Sequence, residues 1–159
     1  MDLGLKDRHV FLTGGSRGIG RETALSFAEE GARVTAIGRD LSRIEDVATE
    51  LSAFGGEHRV LCCDLEVEEN LQQAITDAEN ASGPIDVLIH NVGGSLHIRE
   101  VLSPKSDWIK VWQHNVGIAI DINNQVVPKM VENGWGRIVF MSSRVAVEYR
   151  GAAPYSAAK

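Results

Sequence analysis

Two groups of residues late in the sequence have types and spacings suited to acid/base chemistry. Tyr155 and Lys159 are four positions apart, and the adjacent serines Ser142 and Ser143 precede them. Residues four apart on a helix share a face, so the lysine ammonium can favour the phenolate of the tyrosine. A phenol has an ordinary pKa of about 10 and needs such a cation to exchange protons near neutral pH. The tyrosine is therefore a candidate acid/base, although each feature alone is also common as a surface pair or turn.

A cluster of glycines near the amino terminus is a candidate phosphate-binding turn. It reads Thr13-Gly14-Gly15-Ser16-Arg17-Gly18-Ile19-Gly20, after a predicted strand and before a predicted helix. At such a turn the backbone can approach a pyrophosphate, and the first N–H groups of the helix face it. The spacing differs from the usual G-x-G-x-x-G fingerprint, and a tight strand-to-helix turn is the plain alternative. Placement in the first β-α-β unit favours the nucleotide site.

Short apolar runs alternate with longer amphipathic stretches along the whole chain. Strands are predicted at 9–13, 33–37, 59–64, 85–91 and 136–142, and helices at 18–30, 41–54, 67–82 and 106–133. This alternation requires right-handed crossovers between parallel strands, with helices covering both faces. The sequence therefore predicts one α/β domain, residues 1–159, with a doubly wound parallel sheet of five strands.

The charge balance argues against nucleic acid and membrane as partners. The 159 residues include 16 Lys and Arg against 22 Asp and Glu, a formal net charge of -6, and no block of basic residues. Nothing is therefore available to neutralise a run of phosphates. No apolar run approaches the roughly 18 residues that span a bilayer. We expect a small-molecule partner, and residues 1–4 show no export signal.

The thiols and imidazoles do not form a metal-binding pattern. Cys62 and Cys63 are adjacent on a predicted strand, where neighbouring side chains point to opposite faces. They are too few for a disulfide framework or a cysteine-rich zinc site, so a reducing cytoplasm fits best. His9, His58 and His97 stand singly, and no metal site is predicted.

Further motifs make the chain resemble the short-chain dehydrogenases/reductases from about Lys6 to Lys159. The glycine loop and the Ser and Tyr-x3-Lys pattern match in order, and three other motifs fall between them. These are Asp64-Leu65, His90-Asn91-Val92-Gly93 and Trp108 with Asn115. Asp64 with Leu65 resembles the family's acidic residue that meets the adenine ring. His90-Asn91-Val92-Gly93 resembles the family's Asn-Asn-Ala-Gly, with His in place of the first Asn and Val in place of Ala. Trp108 with Asn115 resembles the family's Trp-x6-Asn.

The resemblance implies a Rossmann-type fold, a nicotinamide cofactor and hydride transfer between a ketone and a secondary alcohol, in a homodimer or homotetramer. The catalytic residues it implies are Asn115, Ser143, Tyr155 and Lys159. The cofactor contacts it implies are Thr13, Gly14, Ser16, Arg17, Gly18, Ile19, Gly20, Arg39, Asp64, Leu65, Asn91, Gly93, Tyr155 and Lys159. In appearance the chain is nearest to 3-oxoacyl thioester reductases, although sugar, polyol and steroid enzymes share these features.

Either serine fits the family's catalytic position. Counting forward along the strand from Gly136 leads to Ser143, whereas counting back from Tyr155 by the family's commonest interval leads to Ser142. Strand registers shift less than loops, so Ser143 is favoured.

The end of the second strand predicts a preference for NADP(H). Enzymes that prefer NAD place an acid there, where it binds the ribose hydroxyls and repels a 2'-phosphate. This chain has Gly38 at that position, with Arg39 after it and Arg17 in the glycine loop. Two guanidinium groups can therefore meet the phosphate. Asp40 is expected to cap the next helix or to pair with Arg39.

Members of the resembled family usually continue for roughly another hundred residues, so the chain is expected to be either a fragment of an enzyme or a truncated, catalytically silent nucleotide-binding module. In the truncated form the short helix would not hold Tyr155 and Lys159 in catalytic geometry. The strand residues Ile138, Val139 and Phe140 would lie on an exposed edge. The helix face with Ile118, Ile120 and Val126 would also be uncovered.

Two other groups of residues are given structural interpretations. Trp108 and Trp112 share one helical face and are expected to pack. Glu66, Glu68 and Glu69 are expected to form the first turn of a helix, where carboxylates favour the helix dipole.

Overall fold

The structure is a computed structural model that describes residues 2–148 and 152–159. Met1, part of the amino terminus predicted to lack an export signal, lies outside the described residues. Residues 149–151, which fall within the family resemblance, lie outside them as well.

Five parallel strands form one sheet in the order β3-β2-β1-β4-β5. The strands are β1 His9–Thr13, β2 Arg33–Gly38, β3 Arg59–Cys62, β4 Val87–His90 and β5 Arg137–Phe140. β1 and β4 lie at the centre, and all of their residues are buried because helices cover both of their faces. The predicted doubly wound α/β sheet is confirmed, with strand ends shifted by up to two residues.

The helices are α1 Gly18–Glu29, α2 Leu41–Leu51, α3 Glu68–Ser82, α4 Lys105–Trp112, α5 Ile118–Glu132 and α6 Ala153–Ala158. Two buried clusters place four of these helices on opposite faces of the sheet, α3 and α5 on one face and α1 and α2 on the other. Phe11 and Leu88 point toward α3 and α5, whereas Val10 and Leu12 point toward α1 and α2. This division follows from the alternation of side chains along a strand.

The long helix predicted over 106–133 is interrupted. A π-helical turn at Gln113–Gly117 separates α4 from α5. Hydrophobic periodicity cannot reveal a turn that inserts one extra residue, because the apolar stripe continues on either side of it.

The order of the strands creates a switch point between β1 and β4. Successive crossovers run in opposite directions from these two strands, so the loops after them diverge and leave a crevice at the carboxyl edge of the sheet. The glycine loop follows β1, and the segment with Asn91 and Gly93 follows β4.

Two expectations about exposed apolar residues need correction. Ile118 and Val126 are buried, because α5 packs against the sheet beside α3; only Ile120 of that group is exposed. Trp108 and Trp112 do not pack inside the chain and are 38% and 51% exposed, because α4 turns Val111 inward instead.

The expectation for the edge strand holds. Ile138, Val139 and Phe140 of β5 are 40%, 43% and 54% exposed. β5 pairs with β4 on one side alone within the described residues.

Within the residues that the structure describes, no helix has the length and apolar character needed to cross a membrane. Over the same residues, no cluster of three or more His, Cys, Asp or Glu side chains is arranged to hold a metal ion.

Candidate functional site

A cleft of about 370 Å³ opens at the carboxyl edge of the sheet, at the switch point. Loops that follow four consecutive strands line it, with residues from the α4–α5 region. The lining residues are Gly14, Ser16 and Arg17; Ile37, Gly38, Arg39, Asp40 and Arg43; Cys63, Asp64, Leu65 and Glu66; Asn91, Val92 and Gly93; His114 and Ile118.

The glycine loop forms one wall of the cleft with bare backbone. Gly14 has φ +69° and Gly18 has φ +53°, a left-handed conformation that glycine adopts at no steric cost. A Cβ on Gly20 would overlap the carbonyl oxygen of Gly14, so the first turn of α1 packs directly on the loop. This cradle leaves room for a pyrophosphate beside the amino terminus of α1, and the residues therefore fit a dinucleotide.

Thr13 and Asn91 tie together the ends of the two central strands. The Thr13 hydroxyl oxygen accepts hydrogen bonds from the N–H groups of Asn91 and Val92, at 3.1 and 3.2 Å. Asn91 Nδ2 donates to the carbonyl of Gly14 at 2.9 Å. The glycine loop is therefore held against the β4 end by side chains predicted to bind cofactor.

Three arginines surround the mouth of the cleft near the end of β2. Arg17, Arg39 and Arg43 all line it. Asp40 caps α2 by accepting from the Arg43 N–H at 3.1 Å, and it pairs with the Arg43 side chain at 3.3 Å. Arg39 instead faces Asp64 at 3.9 Å, with 60% of its side chain exposed. Of the two expectations for Asp40, the helix cap is the one found.

Cys63 contributes no nucleophile to the cleft. Burial raises the pKa of its thiol to about 11, so the thiol is protonated at neutral pH.

Asn115 is buried in the π-helical turn, and its amide makes three hydrogen bonds within the chain. Oδ1 accepts from the Gly94 N–H at 2.9 Å. Nδ2 donates to the carbonyls of Gly94 and Val111, both at 2.8 Å. The amide fixes the segment that follows β4 onto the α4–α5 region, which gives the interrupted helix a positioning role.

Lys159 directly follows α6, which packs against α4, and its side chain lies beside Gly93 and Asn115. Its ammonium donates to the carbonyl of Met141 at 2.9 Å, and burial lowers the pKa of its amino group. A Cβ placed on Gly93 would lie 2.5 Å from Lys159 Nζ and 2.6 Å from Asn115 Oδ1. The ammonium and the Asn115 amide therefore lie on either side of a glycine that lines the cleft.

Lys159 has hydrogen bonds at the end of the short helix, while the expectation that Tyr155 and Lys159 are not held in catalytic geometry stays a prediction. In addition to the bond from its ammonium, its carbonyl accepts from Ser142 Oγ at 2.9 Å. Tyr155 is half-buried on the same helix, four residues earlier.

The two serines have different partners. Ser142 is exposed and makes the bond to the Lys159 carbonyl. Ser143 is half-buried, and its Oγ accepts a long bond of 3.4 Å from the Val145 N–H at the start of the 3-10 turn Arg144–Ala146. Both hydroxyls lie at the carboxyl end of β5.

The structure divides the residues proposed from the sequence into two sets. Gly14, Ser16, Arg17, Arg39, Asp64, Leu65, Asn91 and Gly93 line the cleft. Thr13, Gly18, Ile19, Gly20, Asn115, Ser143, Tyr155 and Lys159 do not. Thr13 and Gly20 support the loop from behind, and Ile19 is 63% exposed on α1.

Sequence reasoning did not identify Arg43, Glu66 and His114 as cleft residues. Glu66 was expected in the first turn of α3, but that helix begins at Glu68. Its position just after β3 was the available signal, because ligands bind at the carboxyl ends of parallel strands.

The sequence matches the family model for short chain dehydrogenase over residues 8–159. The chain belongs to this family. The glycine loop lies at the switch point of this fold, and the predicted Rossmann-type architecture is confirmed.

Proteins of similar sequence or similar fold match nearly all of this chain. An uncharacterized oxidoreductase of Mycobacterium tuberculosis is 33% identical over 157 residues, which are 98% of this chain and 60% of the relative. A crystal structure of NAD+-bound xylitol dehydrogenase has a TM-score of 0.89 at 27% identity, covering 98% of this chain and 60% of that one. A 7α-hydroxysteroid dehydrogenase complexed with NADH and 7-oxo glycochenodeoxycholic acid has a TM-score of 0.88 at 28% identity, covering 97% and 62%.

The chain therefore spans about 60% of the length of the three relatives named here, which is less than two thirds of each. These relatives have names as different as oxidoreductase, xylitol dehydrogenase and hydroxysteroid dehydrogenase. The resemblance to 3-oxoacyl thioester reductases is not specifically supported by them.

Proposed function

We propose that residues 1–159 form the dinucleotide-binding domain and part of the active site of an NADP(H)-dependent oxidoreductase that interconverts a ketone and a secondary alcohol. The observation that carries this proposal is the meeting of Lys159 Nζ and Asn115 at Gly93, on the edge of the glycine-lined cleft. A cation and a buried amide from different elements converge there on one wall of a nucleotide site.

In this proposal each catalytic side chain acts on the substrate oxygen or on the group that protonates it. When bound, a nicotinamide supplies the hydride to the carbonyl carbon, or accepts it in the reverse direction. Tyr155 gives a proton to the carbonyl oxygen, and the ammonium of Lys159 favours the phenolate that remains. Ser143 donates a hydrogen bond to the same oxygen, and Asn115, by the family resemblance, holds a water that returns the proton.

The preference for NADP(H) rests on the charges at the mouth of the cleft. Gly38 carries no carboxylate, and Asp40 is occupied by the α2 cap and Arg43. Arg39 and Arg17 are therefore the groups that would meet a 2'-phosphate. The two structural neighbours named above contain NAD+ and NADH, whereas the proposed NADP(H) preference depends on the arginines of this chain.

Calorimetry with NADPH and NADH tests the cofactor assignment. We expect NADPH to bind the wild type at least roughly tenfold more tightly, about 1.4 kcal/mol. Arg39→Ala should lose most of that preference, because it removes the phosphate's partner. The matched control is Arg59→Ala, which removes an exposed arginine from the opposite end of β3 and should leave the preference intact. Equal affinities in the wild type, or an unchanged preference in Arg39→Ala, would overturn the assignment.

The same titration, combined with a turnover assay, distinguishes an active oxidoreductase from a catalytically silent nucleotide-binding module. Binding together with turnover of a ketone panel supports the oxidoreductase, whereas binding without turnover in a complete form of the polypeptide favours a silent nucleotide-binding module. Substrates to include are sugars, steroids and 3-oxoacyl thioesters.

Assembly and location complete the proposal. The exposed apolar side chains Trp108, Ile109, Trp112 and Ile120 on α4 and α5 favour a homo-oligomer. Cys62 and Cys63 are both free, in keeping with a reducing cytoplasm.

A further inference from the structure

His114 and Glu66 form a hydrogen-bonded pair in the wall of the cleft. His114 Nδ1 lies 2.5 Å from Glu66 Oε1. The histidine side chain is 7% exposed and that of Glu66 is 39% exposed. Both residues line the cleft, and neither has a place in the proposed chemistry.

The pair joins two segments that are distant in sequence. Glu66 follows Asp64 and Leu65 in the loop between β3 and α3, and the same loop is internally tied by the Glu66 N–H bond to Asp64 Oδ1 at 3.0 Å. His114 lies in the π-helical turn, directly before Asn115. One wall of the cleft is therefore bonded to the segment that holds Gly93 and Gly94 in place.

The chemistry of the contact makes it a strong one. A carboxylate only accepts, so His114 Nδ1 carries the proton and donates it. A buried imidazole without a partner would be costly, and a hydrogen bond to an ionised group is stronger than one between neutral groups. Within residues 2–148 and 152–159, no second partner for this imidazole is found. The orientation of the ring therefore depends on Glu66.

We propose that the His114–Glu66 pair is a positioning device that preforms the dinucleotide cleft. It holds the loop with Asp64 and Leu65 against the π-helical turn before any ligand is bound. A cleft whose walls are already ordered loses less conformational entropy when it binds. The identity of the ligand rests on the proposed function, whereas the ordering of the two walls is a property of the free chain.

The test uses Glu66→Ala, His114→Val and the double variant. In the free protein, amide hydrogen exchange of residues 65–67 and 113–116 should become at least about tenfold faster in each single variant. The dissociation constant for NADPH should rise roughly three- to tenfold in each single variant. The double variant should bind NADPH no more weakly than the weaker-binding single variant, because either substitution already removes the whole His114–Glu66 contact. In an active form, KM for the cofactor should rise while kcat changes little.

The control is Lys129→Ala. It breaks a contact of the same length, the ion pair at 2.5 Å between Lys129 Nζ and Glu79 Oε2, which joins α3 to α5 away from the cleft. It should change neither the exchange of the two segments nor the affinity. If His114→Val does not fold, Glu66→Ala, at a half-exposed side chain, still tests both readouts.

The outcomes distinguish this inference from the proposed function. Unchanged exchange, or additive losses in the double variant, would overturn the positioning role even if NADPH binds. If the wild type binds neither NADPH nor NADH, the proposed function fails, and the exchange data alone then decide for or against the pair.

Discussion

At the scale of single residues, the proposed chemistry depends on a few polar atoms held by backbone groups. Lys159 Nζ is held by the Met141 carbonyl, and the Asn115 amide is held by Gly94 and Val111. Burial lowers the pKa of the Lys159 amino group, because the charged form loses hydration. The ammonium of Lys159 is thus positioned at a fixed point beside Gly93.

Replacing Tyr155 by phenylalanine tests the proton donor. In the active enzyme turnover should fall by at least about a hundredfold, because the ring remains and the hydroxyl is lost. NADPH affinity should change little. Lys159→Ala should lose as much turnover and should also weaken cofactor binding. Steady-state kinetics with calorimetry measure both quantities, and a Tyr155→Phe variant that kept most of its turnover would refute the mechanism.

The two serines are distinguished by paired alanine variants. Ser143→Ala should reduce turnover more than Ser142→Ala, because neighbouring hydroxyls at a strand end point in opposite directions and one of them faces the carbonyl. Ser142 also has the Lys159 carbonyl as its partner. Assays under identical conditions give the ranking, and the reverse order would assign the role to Ser142.

At the scale of elements, a buried histidine links the central strand β4 to α5. His90 Nε2 lies 2.9 Å from Asn123 Oδ1, and its ring packs at a tilt of 34° against Phe140 of β5, with centroids 4.7 Å apart. Burial lowers the pKa of His90, although the bond to Asn123 opposes this effect. Burial also lowers the pKa of His9 on β1. Both rings are therefore neutral in the folded sheet at neutral pH.

Because of these two histidines, we expect the free energy of unfolding to decrease at acid pH. In the unfolded chain each titrates near 6.5, whereas in the folded sheet each binds a proton only at lower pH. The stability from this difference is therefore complete above about pH 6.5, and it is lost as the pH falls from there toward the lower folded-state pKa, by up to about 1.4 kcal/mol per pH unit for each histidine.

Urea unfolding at pH 7.5 and 5.5 checks this prediction. His90→Asn, which restores the residue type of the family motif, should show a smaller loss at the lower pH. The control is His97→Asn at an exposed position with φ +62°, a conformation that asparagine tolerates. The interpretation fails if His90→Asn loses as much stability as the wild type.

At the scale of the molecule, one edge of the sheet is apolar and has no further strand paired with it in the part of the chain that the structure describes. β5 exposes Ile138, Val139 and Phe140, and β3 forms the other edge. An unpaired apolar strand is a template for pairing with another chain.

The 159-residue polypeptide is therefore expected to associate through β5. Val139→Lys should reduce association by at least about tenfold, because a charge on an edge strand opposes pairing. Light scattering across a concentration series measures it. Phe54→Lys serves as the control, since Phe54 is 44% exposed, almost the same as Val139, but follows α2. A monomeric wild type would mean that the edge does not drive association.

The sequence by itself determined the fold class and most of the glycine-loop wall. Alternating apolar runs gave strand and helix positions within a few residues, because hydrophobic periodicity reflects which faces are buried. The residues around Gly14 could be placed at the cleft because the carboxyl end of a strand and the amino end of a helix meet there.

Only the tertiary structure decided contacts between segments that are distant in the chain. The π-helical turn at Asn115, the exposure of Trp108 and the partners of Ser142 depend on how α4, α5 and α6 pack together. The pairing of His114 with Glu66 spans 48 positions, and no local pattern encodes it. Local periodicity determines which face of an element is apolar, whereas the partner of a polar side chain is set by the packing of whole elements.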